Sequence, residues 1–288
     1  MSRLPIPNPN ASIVSLTSPF TRRSLRTIKD ALSAAYTTKY SIDPTETHAA
    51  VLVPLCNLNG NPGLLLEVRG KLRSHSGEVR WAPFCFAFVD FHPSWSSFPG
   101  GKVDPTDESV LHAALRETKE EVGIDVDNIE ILGRLGPPTR SLSGLRVWPY
   151  VVSFKCYIRP FRQVTSVKAF LHEKPYGSAP DIDDASPLPS PPLSSLTLSQ
   201  VEVAAAFHLP LNRFTDPRFL REHRFSGLIP YWACDVTDLV APGIEWSDAG
   251  GDSGDEVGGG FGGRLEIWGL TGWYLNLFMN VFLGGRWQ

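Results

Sequence analysis

Apolar residues along the chain fall into short runs whose spacing switches between helical and extended. From Ser24 to Ala35, Leu25, Ile28 and Leu32 recur at helical intervals, which predicts a first helix. Ala49–Leu55 and Gly63–Val68 are apolar runs of strand length joined by the turn residues Asn57–Pro62. A second helix is predicted from Pro105 to Val122, with Asp104 as its cap, Pro105 at its first position and Gly123 at its end. Val110, Leu111, Ala114 and Leu115 give it a core-facing side. Ile129–Leu135 and Val147–Ile158 read as strands on either side of the turn-rich Gly136–Gly144. Apolar patterning returns at Val201–Leu211, and Leu265–Leu283 predicts a strand or turn followed by a helix. Strands around one strong helix imply an α+β class, a mixed sheet packed by helices.

Composition locates the breaks in this pattern. The 25 Gly and 25 Pro are about one residue in six of the 288, above the usual share of roughly 12%. Six prolines lie between Pro175 and Pro192 and eight glycines between Ala249 and Gly263, so both stretches read as surface insertions. A net charge of −3 argues against a protein that coats nucleic acid or anionic lipid. Cys56, Cys85, Cys156 and Cys234 have neither zinc-site spacing nor the density of a disulfide scaffold. An intracellular, reducing compartment is expected. The basic, Ser- and Thr-bearing stretch before Asp30 suits an organelle transit segment and a plain basic helix equally, so mitochondrial, peroxisomal and cytosolic placements stay open. Ile267–Gly285 is uncharged and close to spanning length, but Thr271, Asn276, Asn280 and several glycines make it a buried helix, and no membrane span is expected.

The chemistry concentrates in Phe98-Pro99-Gly100-Gly101-Lys102-Val103-Asp104-Pro105 and in Arg116-Glu117-Thr118-Lys119-Glu120-Glu121-Val122-Gly123. Glu117, Glu120 and Glu121 lie at i, i+3 and i+4, which gathers three carboxylates in one neighbourhood of the helix surface, with Arg116 able to pair with Glu120. Such a run is either a solvated acidic face or a site for Mg²⁺ or Mn²⁺, whose hard oxygen ligands it supplies. Gly100-Gly101 lets the backbone approach a charged ligand just ahead of the helix.

Gly101 through Arg116-Glu117, Glu120-Glu121 and Gly123 resembles the Nudix box, and the chain resembles a Nudix hydrolase. The first acidic position falls on Asp107 counted from Gly101 and on Glu108 counted from Arg116, one residue longer than the generic box. That longer form resembles the coenzyme A pyrophosphatase branch. Leu65–Val79, Glu202-Val203 with Phe207–Leu211, and Ile267-Trp268-Gly269-Leu270-Thr271 resemble flanking segments of the same branch. One departure is large: Arg80–Ser96 interrupts the branch's pattern with 17 residues rich in Trp and Phe. Removing it restores the pattern, so it reads either as translated intron or as a genuine lid or partner-binding loop over the site.

The resemblance implies an α/β/α sandwich with the mixed sheet between helices. Residues 1–44 would be an extension with the first helix, 45–283 one domain with insertions at about 80–96, 175–195 and 247–263, and 284–288 a tail. It implies Mg²⁺ or Mn²⁺ held by Glu117, Glu121, Glu120 and the Gly101 carbonyl, with Arg116 steadying the carboxylates. Glu120 and Glu202 are alternative general bases, and Arg69, Arg73, His75, Gly100, Gly101 and Lys102 would bind substrate. The implied reaction is hydrolysis of coenzyme A or its thioesters to 3′,5′-ADP and (acyl-)4′-phosphopantetheine. Cleansing of oxidised nucleoside triphosphates and a catalytically silent nucleotide-binding or scaffold role are the alternatives. The expected partner is a coenzyme A-type or nucleoside diphosphate-linked small molecule, not a nucleic acid polymer, and a homodimer is compatible with it.

Overall fold

Alternation along two strands decides which helix covers which side of the sheet. The computed structural model describes residues 12–69, 96–141, 144–154, 183–190, 192–225, 229–244 and 264–283. Its helices are α1 (Arg22–Ala35), α2 (Val110–Val122) and α3 (Gly269–Phe282). The main sheet holds β1 (His48–Leu58), β2 (Asn61–Arg69), β3 (Ser96–Ser97), β4 (Gly100–Lys102), β5 (Ile129–Arg134), β6 (Thr139–Arg140), β7 (Arg146–Phe154) and β8 (Val203–Pro210). A smaller antiparallel sheet is built from β9 (Leu220–Phe225), β10 (Ile229–Asp235) and β11 (Glu266–Ile267). On β1, Ala49, Val53 and Leu55 join the core that includes α1 and α3, while Ala50 and Leu52 join the core under α2. On β7, Val147 and Val151 face the first side and Trp148 and Val152 the second. The result is the expected α/β/α sandwich.

β1 and β7 pair in parallel from His48↔Arg146 to Leu55↔Ser153, whereas the other described pairings of this sheet are antiparallel. The opposite edge of β1 is shared: Ala49–Val51 pair with β4, and Leu55–Leu58 pair with β2. Asn59 and Gly60, at φ 50° and 78°, close the β1–β2 hairpin as a two-residue turn, tighter than the loop predicted at Asn57–Pro62.

α2 starts later than the sequence suggested. Its cap is Ser109, whose hydroxyl accepts from the His112 N–H at 3.1 Å, not Asp104. The segment after Asp104 folds instead into a turn closed by Asp107 N–H to Asp104 O at 3.0 Å, and the Asp107 carboxylate accepts from the Asp104 N–H at 2.8 Å. Gly123 ends the helix in the left-handed region, as expected. α1 is capped by Thr21 and Ser24 in a reciprocal box. Its approach is pinned by Asn57, whose amide donates to Phe20 O and Leu188 O and accepts from Phe20 N–H at 2.7 Å. Part of the proline-rich stretch is therefore packed on α1: Leu188 touches the core, and Asp184 pairs with Arg26.

α3, with 14 residues, is about 21 Å long, short of a bilayer's hydrocarbon core. Among the described residues no helix is long and apolar enough to cross a membrane. Asn276 bonds Trp232 through both its amide groups, and the Tyr274 hydroxyl donates to Val147 O at 2.8 Å, so the polar positions of α3 tie it to both sheets. Cys56 and Cys234 are buried thiols that burial pushes up to about 12. Cys85, Cys156, the Arg80–Trp95 insertion, residues 175–182 and the glycine-rich stretch lie outside the described residues.

Candidate active site

Three parts of the main sheet and one helix converge where β2 and β4 leave β1. Gly100 fits this junction because it lacks a side chain: at φ 143° a Cβ would lie 2.2 Å from Ala50 O. The same Gly100 donates its N–H to Glu121 Oε2 at 2.8 Å, fastening α2 to the strand. A Cβ on Gly101 would lie 2.5 Å from the Glu117 carboxyl carbon, so that glycine's backbone runs directly against the Glu117 side chain.

The three box carboxylates do not share one environment. Glu121 is 2% exposed, Glu117 21% and Glu120 55%. The buried stripe of α2 runs Val110, Ala114, Thr118, Glu121 and Val122, so helical periodicity carries Glu121 into the interface with the sheet. The single surface neighbourhood expected for all three is thus corrected, since Glu120 alone turns outward. Arg116 spans the outer side of the helix. It grips Asp107 through Nε at 3.1 Å and Nη2 at 3.0 Å, Glu117 at 2.9 Å, Glu120 at 3.2 Å and the Lys102 carbonyl at 3.2 Å. Between the two acidic positions left open by the spacing, Asp107 is the one that meets Arg116. That pairing holds the Asp107 carboxyl well below the usual carboxylate range.

Glu202 comes in from the other side. The bulge between Val68 and Arg69 sets Arg69 opposite Val203. Ser199 N–H donates to Glu121 O at 2.9 Å, and Val203 N–H donates to Ser199 O at 2.8 Å, so the turn carrying Glu202 hangs from the end of α2. Glu202 lies close enough for its charge to bear on Glu67 and Glu117. The Arg69 Nη2 stands 3.7 Å from Glu121 Oε1. Lys102 is exposed, and Arg73 and His75 lie outside the described residues.

Sequence reasoning missed Glu67. It is 1% exposed on β2; its Oε1 accepts from the Ser97 hydroxyl at 2.9 Å, and its Oε2 is buried without a partner among the described residues. The available signal was one carboxylate inside the otherwise apolar run Leu64–Val68. Burial raises the proton affinity of Glu67 and Glu121; the Glu67 charge adds to the rise at Glu121, and the charges of Glu202 and Glu117 add to that at Glu67. Burial also raises that of Glu117.

A buried carboxylate oxygen needs a donor or a positive charge to offset its burial, and a divalent cation with hard oxygen ligands supplies one. The orphaned Glu67 Oε2 and the Gly101 backbone against Glu117 fit that requirement. Among the described residues no three His, Cys, Asp or Glu side chains are already gathered round one point as ligands.

Residues 46–155 match the NUDIX domain. Over 91 residues the chain is 44% identical to mouse mitochondrial coenzyme A diphosphatase NUDT8, covering 31% of this chain and 35% of that protein. It is 43% identical to the human NUDT8 over 91 residues, 31% of each. It is 43% identical over 104 residues to the uncharacterized Nudix hydrolase NudL of Escherichia coli, covering 36% of this chain and 44% of that one. The chain thus spans less than half the length of these curated relatives. Among solved structures, the NUDIX domain of Shewanella oneidensis NrtR complexed with ADP ribose is 18% identical at a TM-score of 0.31, covering 62% of this chain and 82% of that one. The C. elegans Ap4A hydrolase is 24% identical at a TM-score of 0.27, covering 38% of this chain and 69% of that one, or 37% and 64% in its binary complex.

Proposed function

We propose that the protein is a divalent-metal-dependent pyrophosphohydrolase that splits coenzyme A or its thioesters into 3′,5′-ADP and (acyl-)4′-phosphopantetheine. The observation that carries this reading is the graded carboxylate array at the end of α2, with Glu121 buried and fixed to the Gly100 N–H. A purely solvated acidic face would leave those carboxylates in water. The identity to proteins named coenzyme A diphosphatase supports the choice of substrate.

In this reading Glu117 and Glu121 hold Mg²⁺ or Mn²⁺ beside the Gly101 backbone, with Glu120 at the outer margin. When bound, the cation neutralises phosphate charge and makes water a better nucleophile. Glu202 is the favoured base over Glu120, because its charge reaches the buried carboxylates while Glu120 is turned outward onto Arg116. Arg116 is a positioning residue: it fixes Glu117 against Asp107 and the Lys102 carbonyl. Arg69, 44% exposed and 3.7 Å from Glu121, is the residue that would meet a phosphate in this reading.

The test is incubation with Mg²⁺ and a panel of coenzyme A, its thioesters, NADH, ADP-ribose and 8-oxo-dGTP. Release of 3′,5′-ADP from coenzyme A or its thioesters is the expected result. Product from 8-oxo-dGTP alone overturns the substrate, and no product from any of them favours a silent binding role.

A further inference from the structure

Glu67 stands out as a buried charge with no structural need to be there. Leu64, Leu66 and Val68 on the same strand face the core that includes α1 and α3, so strand alternation turns Glu67 to the opposite side, toward α2. A carboxylate in that position costs the fold stability unless something meets it. The Ser97 hydroxyl meets one oxygen, while the other is buried and unmet among the described residues. The charges that bear on Glu67 are Arg69, which favours its ionised form, and Glu202 and Glu117, which oppose it. The Glu67 charge in turn bears on Glu121 of α2. An apolar or neutral residue would end this repulsion, yet the carboxylate sits where three other glutamates already face.

We propose that Glu67 is a further ligand of the divalent cation, contributed from the sheet rather than from the α2 motif. This rests on the metal site given under Proposed function. Oε2 is the ligating atom. The Ser97 hydroxyl, from β3, holds Oε1 and so aims the carboxylate, the part that partners of metal-ligating groups commonly play. The sheet and the helix then grip one ion from two sides.

The experiment is Mn²⁺ titration of the purified full chain at fixed pH, with free Mn²⁺ followed by electron paramagnetic resonance. The metal-dependent rise in the thermal midpoint is recorded in parallel. Glu67→Gln keeps the shape and the acceptor for Ser97 but removes the charge. It is expected to weaken Mn²⁺ binding by about tenfold or more, and to shrink the metal-dependent rise, while its metal-free midpoint holds or increases. Ser97→Ala is expected to weaken binding less. Glu67→Asp keeps the charge and shortens the reach, so a ligand shows as weaker binding even if the amide variant fails to fold. Wild-type affinity and stoichiometry in Glu67→Gln or Glu67→Asp, with binding lost in Glu121→Gln, overturns the assignment of Glu67 alone. Wild-type binding in Glu121→Gln as well overturns the metal site itself.

Discussion

Gly100 is held by two constraints that no other residue satisfies together: a φ of 143° and a backbone oxygen 2.2 Å from where a Cβ would be. Gly100→Ala is therefore expected to destabilise the protein by about 3 kcal/mol, read as a lowered urea midpoint, and to shift the N–H that holds Glu121. Glu121→Gln separates charge from shape, since the amide oxygen can still accept from Gly100. It should leave the urea midpoint unchanged or raised while lowering turnover by at least roughly 100-fold. The box glutamates were readable as a cluster because their spacing is local. Their unequal burial was not, because it depends on how α2 is rotated against the sheet. Glu67 escaped notice for a related reason: its neighbours in space come from α2 and from β3, 30 residues away at Ser97.

At the scale of elements, what joins the pieces is side-chain capping of backbone. The Ser109 cap, rather than Asp104, sets where α2 begins, and sequence preferred Asp104 because Pro at a first helical position is a common signal. The competing turn wins since Asp107 is drawn to Arg116. Asn57 plays a similar part for α1, meeting the backbone of Phe20 twice and that of Leu188 once. Asn57→Ala leaves those groups buried without partners, and a loss of about 2–3 kcal/mol in urea denaturation is expected. Strand positions were legible from apolar runs. The parallel β1–β7 pairing was not, because a run encodes which faces are buried and says nothing about its neighbour.

At the scale of the whole molecule, one charged clamp ties the residues just ahead of the central strand β1 to the neighbouring β7 and to β6 beyond it. Glu46 accepts from Arg146 at 2.8 Å through both carboxylate oxygens and from Arg140 at 2.9 Å. The Arg146 guanidinium holds its pKa down to about 2, against 4.5 ordinarily. A carboxyl lowered on folding adds stability above its unfolded pKa and loses it as pH falls toward the folded one. Thermal midpoints of the wild type and Glu46→Gln should thus differ at pH 6 (about 1.5 units above the ordinary value) and converge between about 4.5 and about 2. A gap that persists to the acid end would refute the clamp.

The pairing of β2 with β3 has a consequence for how this gene tolerates change. Val68 lies opposite Ser96 and Glu67 opposite Ser97, so the chain departs at Arg69 and returns beside its own point of departure. With its ends paired to each other, the intervening stretch is expected to tolerate changes of length that leave Glu67 beside Ser97. Replacing residues 70–95 with a short Gly- and Asn-bearing turn should therefore yield a folded protein with a cooperative thermal transition. It would lack Arg73 and His75, which makes such a variant a direct measure of what the replaced stretch adds to turnover.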